Sequence, residues 1–248
     1  MRQKYVMGNW KMHGSFSSIS LLINGLIAQE NSSLAQIVVF PPYVYLQKVR
    51  ELLQENAIAY GAQNVYPEAS GAFTGEIAGP MLQDLGCKYV LIGHSERRHL
   101  LGEKDDFIAR KFKHVKECGM MPVLCVGETA QERETGETKN VLLRQISTAI
   151  ELSRESFKQS IIAYEPVWAI GTGKVADAKQ IQEAHGFIRS SIAKYDTTTA
   201  ENISILYGGS VTPESARALF TLDNVDGALV GGASLDKERF LGIAKCIN

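Results

Sequence analysis

Two hydrophobic periods alternate along the whole chain. Short runs that are apolar almost throughout, Tyr5–Asn9, Ile37–Phe40, Ile58–Asn64, Tyr89–Ile92, Val123–Val126, Ile161–Tyr164, Ile203–Tyr207 and Ala228–Val230, read as eight β-strands. A strand that is apolar on both faces is covered on both, as in a parallel sheet lying under helices. Between these runs the apolar spacing lengthens to three or four residues. Ile108, Phe112 and Val115 make one stripe, and Ile181, Ala184 or His185, Ile188 and Ile192 make another, each the inner face of an amphipathic helix. Helix starts are marked as well: Asp177 suits an N-cap, and Thr212, Pro213 and Glu214 supply a cap, a first-turn proline and a first-turn acid.

Strand-helix units repeated in this way, with no Ser/Gly linker, low-complexity stretch or composition break, predict an α/β protein: one closed (β/α)8 barrel, a single domain over residues 1–248. An open doubly wound sheet is the alternative. Against it, the turn after the first strand reads Gly8-Asn9-Trp10-Lys11 and carries no GxGxxG fingerprint.

Composition narrows the function classes only by exclusion. The 26 Lys plus Arg nearly balance 27 Asp plus Glu, for a net charge of -1, and no basic stripe with interleaved aromatics suggests nucleic acid. Met1 to Trp10 lacks a signal-peptide core and no run is long enough to span a membrane, so a cytoplasmic address is expected. Cys87, Cys118, Cys125 and Cys246 form no CxxC pair and read as reduced thiols. The five histidines, His13, His94, His99, His114 and His185, show no ligand spacing, so no metal is expected. The Asn-x-Ser matches at Asn31 and Asn202 carry little weight without a secretion signal.

In a (β/α)8 barrel, chemistry is built where the strands end. The first strand ends in Asn9-Trp10-Lys11, an amide and an ammonium two residues apart and so on one side of an extended chain. They suit either a solvated surface or a donor pair for an anion. The fourth ends in Gly93-His94-Ser95-Glu96-Arg97-Arg98, where His94 is either a structural or a chemical group, and Glu96 with the two arginines is expected to form a mutually satisfied charge network. The sixth ends in Tyr164-Glu165-Pro166-Val167-Trp168. A carboxylate at the mouth of an apolar run is costly to bury unless paired or put to use.

The following stretch, Pro166, Val167, Trp168, Ala169, Ile170, Gly171, Thr172, Gly173, Lys174, Val175 and Ala176, has a stiff start, an apolar middle and two glycines, as a hinged lid would. Its Gly173-Lys174 is not a nucleotide loop, because Trp168 and Val175 occupy the required glycine and hydroxyl positions. The seventh and eighth strands end in Gly208-Gly209-Ser210 and Gly231-Gly232, at the loops where barrels hold phosphate against backbone N–H groups. A carboxylate, an imidazole, an ammonium and an anion cradle under a lid suit proton transfer beside a carbonyl, with Glu165 as base and His94 and Lys11 stabilising the enediolate.

These stretches, with Gly71-Ala72-Phe73-Thr74-Gly75-Glu76 and Leu229-Val230-Gly231-Gly232-Ala233, closely resemble the triosephosphate isomerase family over essentially the whole chain. The resemblance implies a TIM barrel that interconverts dihydroxyacetone phosphate and D-glyceraldehyde 3-phosphate, a step of glycolysis and gluconeogenesis, without a cofactor. It implies Glu165 as base, His94 as a neutral electrophile, Lys11 as the substrate-binding cation and Asn9 as a further polar contact. Gly171, Ser210, Gly231 and Gly232 match phosphate-holding residues, and Glu96 a supporting acid beside the histidine. It further implies a homodimer in which the loop carrying Phe73 and Thr74 docks beside the partner's active site. His94 is expected to be held neutral, with a lowered pKa, by the helix that starts after it. His13 departs from the family pattern, where many members carry asparagine, but lies outside the chemical set. A Schiff-base aldolase working through Lys11, and a phosphosugar-binding barrel without catalysis, are the competing expectations.

Overall fold

Inward and outward residues alternate along each strand, and that period of two divides the core into two parts. Met7, Val38, Phe40, Leu91, Val123, Cys125, Ile161, Ala163, Leu206 and Leu229 fill the barrel interior. Their neighbours Val6, Val39, Val90, Ile92, Leu124, Ile162, Ile205 and Val230 face outward into a larger core under the helices. Each Leu, Ile or Phe so buried contributes about 1.5–3 kcal/mol.

The computed structural model describes residues 2–29, 34–152, 157–171 and 175–247. The strands are β1 (Tyr5–Asn9), β2 (Gln36–Phe40), β3 (Ala59–Ala62), β4 (Tyr89–Ile92), β5 (Met121–Val126), β6 (Ile161–Tyr164), β7 (Ser204–Tyr207) and β8 (Gly227–Val230). All pair in parallel and in sequence order, and β1 pairs with both β2 (Tyr5 opposite Gln36) and β8 (Tyr5 opposite Gly227), so the sheet closes on itself. The open-sheet alternative is thereby excluded.

Around the barrel lie α1 (Phe16–Gln29), α2 (Leu46–Leu52), α3 (Gly79–Asp84), α4 (Ser95–His99), α5 (Asp105–Glu117), α6 (Ala130–Glu134), α7 (Thr138–Leu152), α8 (Ala178–Ala193), α9 (Thr197–Asn202), α10 (Pro213–Phe220) and α11 (Lys237–Ala244). Both expected apolar stripes are buried, on α5 and α8, with Ala184 and His185 alike turned inward. Asp177 caps α8 and Thr212 caps α10, each in a reciprocal capping box, and Pro213 opens α10.

The third strand is shorter than its apolar run predicts, stopping at Ala62 rather than Asn64. There side chains replace the ladder: the Gln63 amide donates to the Phe40 and Lys11 carbonyls, and the Asn64 Oδ1 accepts from the buried Lys111 ammonium at 2.8 Å. Beneath the barrel, the fully buried Asp226 binds Arg2 at 2.7 Å and Arg189 at 2.9 Å, tying the chain's start to its last strand.

Candidate active site

The interior alternation itself delivers the site. Along β6 the inward series Ile161, Ala163 continues by two residues to Glu165, and along β1 Tyr5, Met7 continues to Asn9. Glu165 is 2% exposed and His94 6%. Along β4 the inward residues Tyr89 and Leu91 lead to Gly93, whose φ of 68° takes the left-handed turn that favours glycine. His94 then becomes the N-cap of α4, its Nδ1 accepting the Glu96 N–H at 3.3 Å. Gly208 leaves room for the carboxylate, since a Cβ there would stand 2.8 Å from the Glu165 Cγ.

A cavity of about 380 Å³ opens at this rim, lined by Asn9, Lys11, His94 and Glu165 on one side and by Gly171, Ser210, Gly231 and Gly232 on the other. Residues from five separate strand ends and the segment after β6 thus meet around one space. Lys11 reaches it from a left-handed backbone, φ 49°, and its Nζ donates to the Glu96 Oε1 at 2.7 Å.

Charge in the cavity is tightly coupled. The two Glu165 oxygens are both engaged: Oε1 lies 3.0 Å from the His94 Nε2, and Oε2 accepts the Ser95 N–H at 2.8 Å. Burial pushes the Glu165 pKa up, but His94, the Ser95 N–H and Lys11 outweigh it and hold the group below the usual carboxylate value. Burial likewise pushes His94 down, and here the Glu165 and Glu96 carboxylates win, so its pKa is raised. The expected lowering of His94 is therefore reversed: the Glu165 carboxylate, 3.0 Å from Nε2, and Glu96 outweigh burial. Because Nδ1 accepts a backbone N–H, the proton of the neutral ring belongs on Nε2, the nitrogen that faces Glu165.

The charge cluster expected of Glu96, Arg97 and Arg98 does not form among the three. Glu96 turns to Lys11, Arg97 to Glu103 at 2.7 Å, and Arg98 to Asp105 at 2.6 Å. Consecutive residues on a helix point in different directions, and here each finds its partner on another element or loop. Phe73 and Thr74 lie on the exposed loop after β3, where Phe73 packs on Tyr66 with ring centroids 4.4 Å apart. Within the stretch expected to form a lid, Val167–Ala169 make a 3₁₀ turn and Ile170 and Gly171 border the cavity. Thr172, Gly173 and Lys174 lie outside the described residues.

Three contributors escaped the sequence. Arg239, on α11, lines the cavity as a second cation. Glu128, fully buried, accepts from the Trp168 indole at 3.0 Å, from Arg133 at 3.0 Å and from the Tyr164 hydroxyl, anchoring the start of the segment after β6. Gln63 holds the Lys11 carbonyl at 2.8 Å. For Glu128 and Gln63 the sequence hint was a charge or amide just past a strand end, a signal shared with many surface residues, and Arg239 on α11 gave none. Among the described residues no group of three or more His, Cys, Asp or Glu is placed to hold a metal ion, and no helix is long and apolar enough to cross a membrane.

A closed parallel barrel whose strand ends gather a buried carboxylate, an imidazole and an ammonium around one glycine-bordered cavity falls in the class of (β/α)8-barrel enzymes. The sequence model of the triosephosphate isomerase family matches residues 4–247. The chain is 48% identical to the triosephosphate isomerase of Legionella pneumophila strain Lens, with all of both chains covered. It is 48% identical to that of Dechloromonas aromatica, again over all of both, and 49% identical to that of Cupriavidus taiwanensis over 98% of this chain and 99% of the other. The protein belongs to the triosephosphate isomerase family and is an enzyme of that family, an isomerase of carbohydrate metabolism.

Proposed function

We propose that the enzyme interconverts dihydroxyacetone phosphate and D-glyceraldehyde 3-phosphate through an enediolate, with no cofactor, and that Glu165 moves the proton between carbons. The observation that carries this proposal is the carboxylate itself, buried at the end of the inward β6 series and held ionised beside an imidazole. A base must be unprotonated to begin, and a dry site sharpens its reach. Glu165 leaves its contacts with His94 and Ser95 to take the substrate proton. His94, freed of that carboxylate, presents its Nε2–H to the developing oxyanion, and its pKa falls as its strongest charged partner departs. Lys11 and Asn9 complete the polar wall, with Glu96 steadying both Lys11 and His94. The backbone at Gly171, Ser210, Gly231 and Gly232 receives the phosphate, with Ile170 and Gly171 at the mouth of the cavity.

The barrel works as a homodimer on this proposal, with Thr74 reaching the partner subunit's Asn9, Lys11 and His94. Exposed apolar side chains follow three neighbouring strands: Met12 and Phe16 after β1, Val44 after β2 and Phe73 after β3. The cytoplasm is its proposed place of work, where four unpaired cysteines stay reduced. A Schiff-base aldolase is less well supported, because the Lys11 ammonium is engaged by Glu96 rather than set in an apolar pocket.

A coupled isomerase assay on the wild type and on Glu165→Asp tests the assignment. Shortening the base withdraws the carboxylate by about 1 Å, so turnover is expected to drop roughly 100-fold or more. A wild-type rate at background, or a variant as fast as the wild type, overturns it.

A further inference from the structure

We propose that Gln63 is a positioning residue for Lys11, fixing the ammonium in the active site from outside the cavity. The proposal rests on the reading of Lys11 as the substrate-binding cation. Lys11 holds φ at 49°, a left-handed conformation that a side chain with a Cβ disfavours and that surrounding contacts must enforce. Two contacts do so, one on each side of the residue. The Asn9 Oδ1 accepts the Lys11 N–H at 3.0 Å, and the Gln63 Nε2 donates to the Lys11 carbonyl at 2.8 Å.

The same Gln63 nitrogen also donates to the Phe40 carbonyl at 2.9 Å, and that oxygen receives the Trp10 N–H at 3.1 Å. One amide, just past β3, therefore ties the chain after β1 to the end of β2. Both of its protons are used on backbone oxygens, so the side chain is fixed by what it fixes. Gln63 does not border the cavity, whereas Lys11 does. Its effect on substrate must pass through the backbone of Lys11.

Gln63→Met keeps the length of the side chain and removes both donors. With Lys11 released, kcat/KM is expected to fall roughly 10- to 100-fold, the scale of a misplacement near 1 Å. The dissociation constant for inorganic phosphate, measured by calorimetry on the folded protein, is expected to rise in parallel. A merely structural role would lower the melting temperature and leave both quantities alone. In a Lys11→Met background, adding Gln63→Met should weaken phosphate binding no further, because the cation it positions is gone. Gln63→Asn, which keeps the amide but withdraws it from both carbonyls, serves the same cycle if the methionine variant does not fold. Unchanged kcat/KM and phosphate affinity, or a loss that adds in full to that of Lys11→Met, overturns the proposal. A wild type without isomerase activity would defeat the functional assignment instead, and the phosphate arm would still decide the role of Gln63.

Discussion

His185 shows how far a single residue can bend the stability of the barrel. It is fully buried on α8, its Nδ1 lies 2.9 Å from the Asn224 carbonyl, and its Nε2 finds no hydrogen-bond partner. Burial drives its pKa down to about 4 from an ordinary 6.5, against weaker upward pulls from Asn224 and Asp226. The unfolded chain thus takes up a proton near pH 6.5 that the folded chain refuses until about pH 4. Stability from this group is intact above pH 6.5 and declines as pH falls through that window, by about 3 kcal/mol at its lower end. Urea unfolding at pH 7 and pH 4.5 should show a markedly smaller loss for His185→Gln than for the wild type. Equal losses would assign the acid sensitivity to other groups.

At the scale of elements, the segment after β6 combines a fixed start with a free approach to substrate. Glu128 and the Arg133 guanidinium, 4.4 Å from the Trp168 ring, hold its first turn, while Ile170 and Gly171 border the cavity. An enediolate beside a phosphate can expel that phosphate, and the proposed function gives the segment the task of holding the leaving group out of line and keeping water away. Deleting Ile170 and Gly171 is expected to leave the fold intact, because neither contributes to the buried core. Turnover should fall while methylglyoxal and free phosphate take a larger share of product; an unchanged product ratio would show that the segment does not guard the intermediate.

The same elements show what was legible beforehand. Strands declared themselves because both faces are buried, and Glu165 because it ends an apolar run. Gln63 and Asn64 did not, since their side-chain partners Phe40, Lys11 and Lys111 lie 23 to 52 residues away and meet only when the barrel closes. Lys111 even sits inside the stripe of α5, where nothing local tells a buried cation from a solvated one. The raised pKa of His94 was hidden for a similar reason: its cause, Glu165, comes from two strands further on.

For the whole molecule, the rim over β1 to β3 is the side the proposed dimer would take. Met12 is 94% exposed, Val44 72% and Phe16 63%, apolar surface that the proposed dimer would cover. The loop between Tyr66 and Ala78 is tied at its base and braced by the Tyr66 and Phe73 rings, so it can dock without first ordering itself. Sedimentation at assay concentration should give about twice the 27.2 kDa chain mass. A fully active species of single-chain mass would defeat the dimer.

The packed interior beneath Glu165 also decides where an isotope can go. Ala163, Ile161 and Leu206 pack beneath the carboxylate, and the Cys125 thiol that meets it there is itself fully buried. A hydron lifted onto Glu165 is therefore expected to reach bulk water through the mouth of the cavity, beside Ile170 and Gly171. In D2O some product should keep the hydrogen it started with, and that retained share should shrink when Ile170 and Gly171 are deleted. Mass spectrometry of the product reads it directly. Equal retention in both proteins would mean that deuterium reaches the carboxylate by a route through the barrel wall.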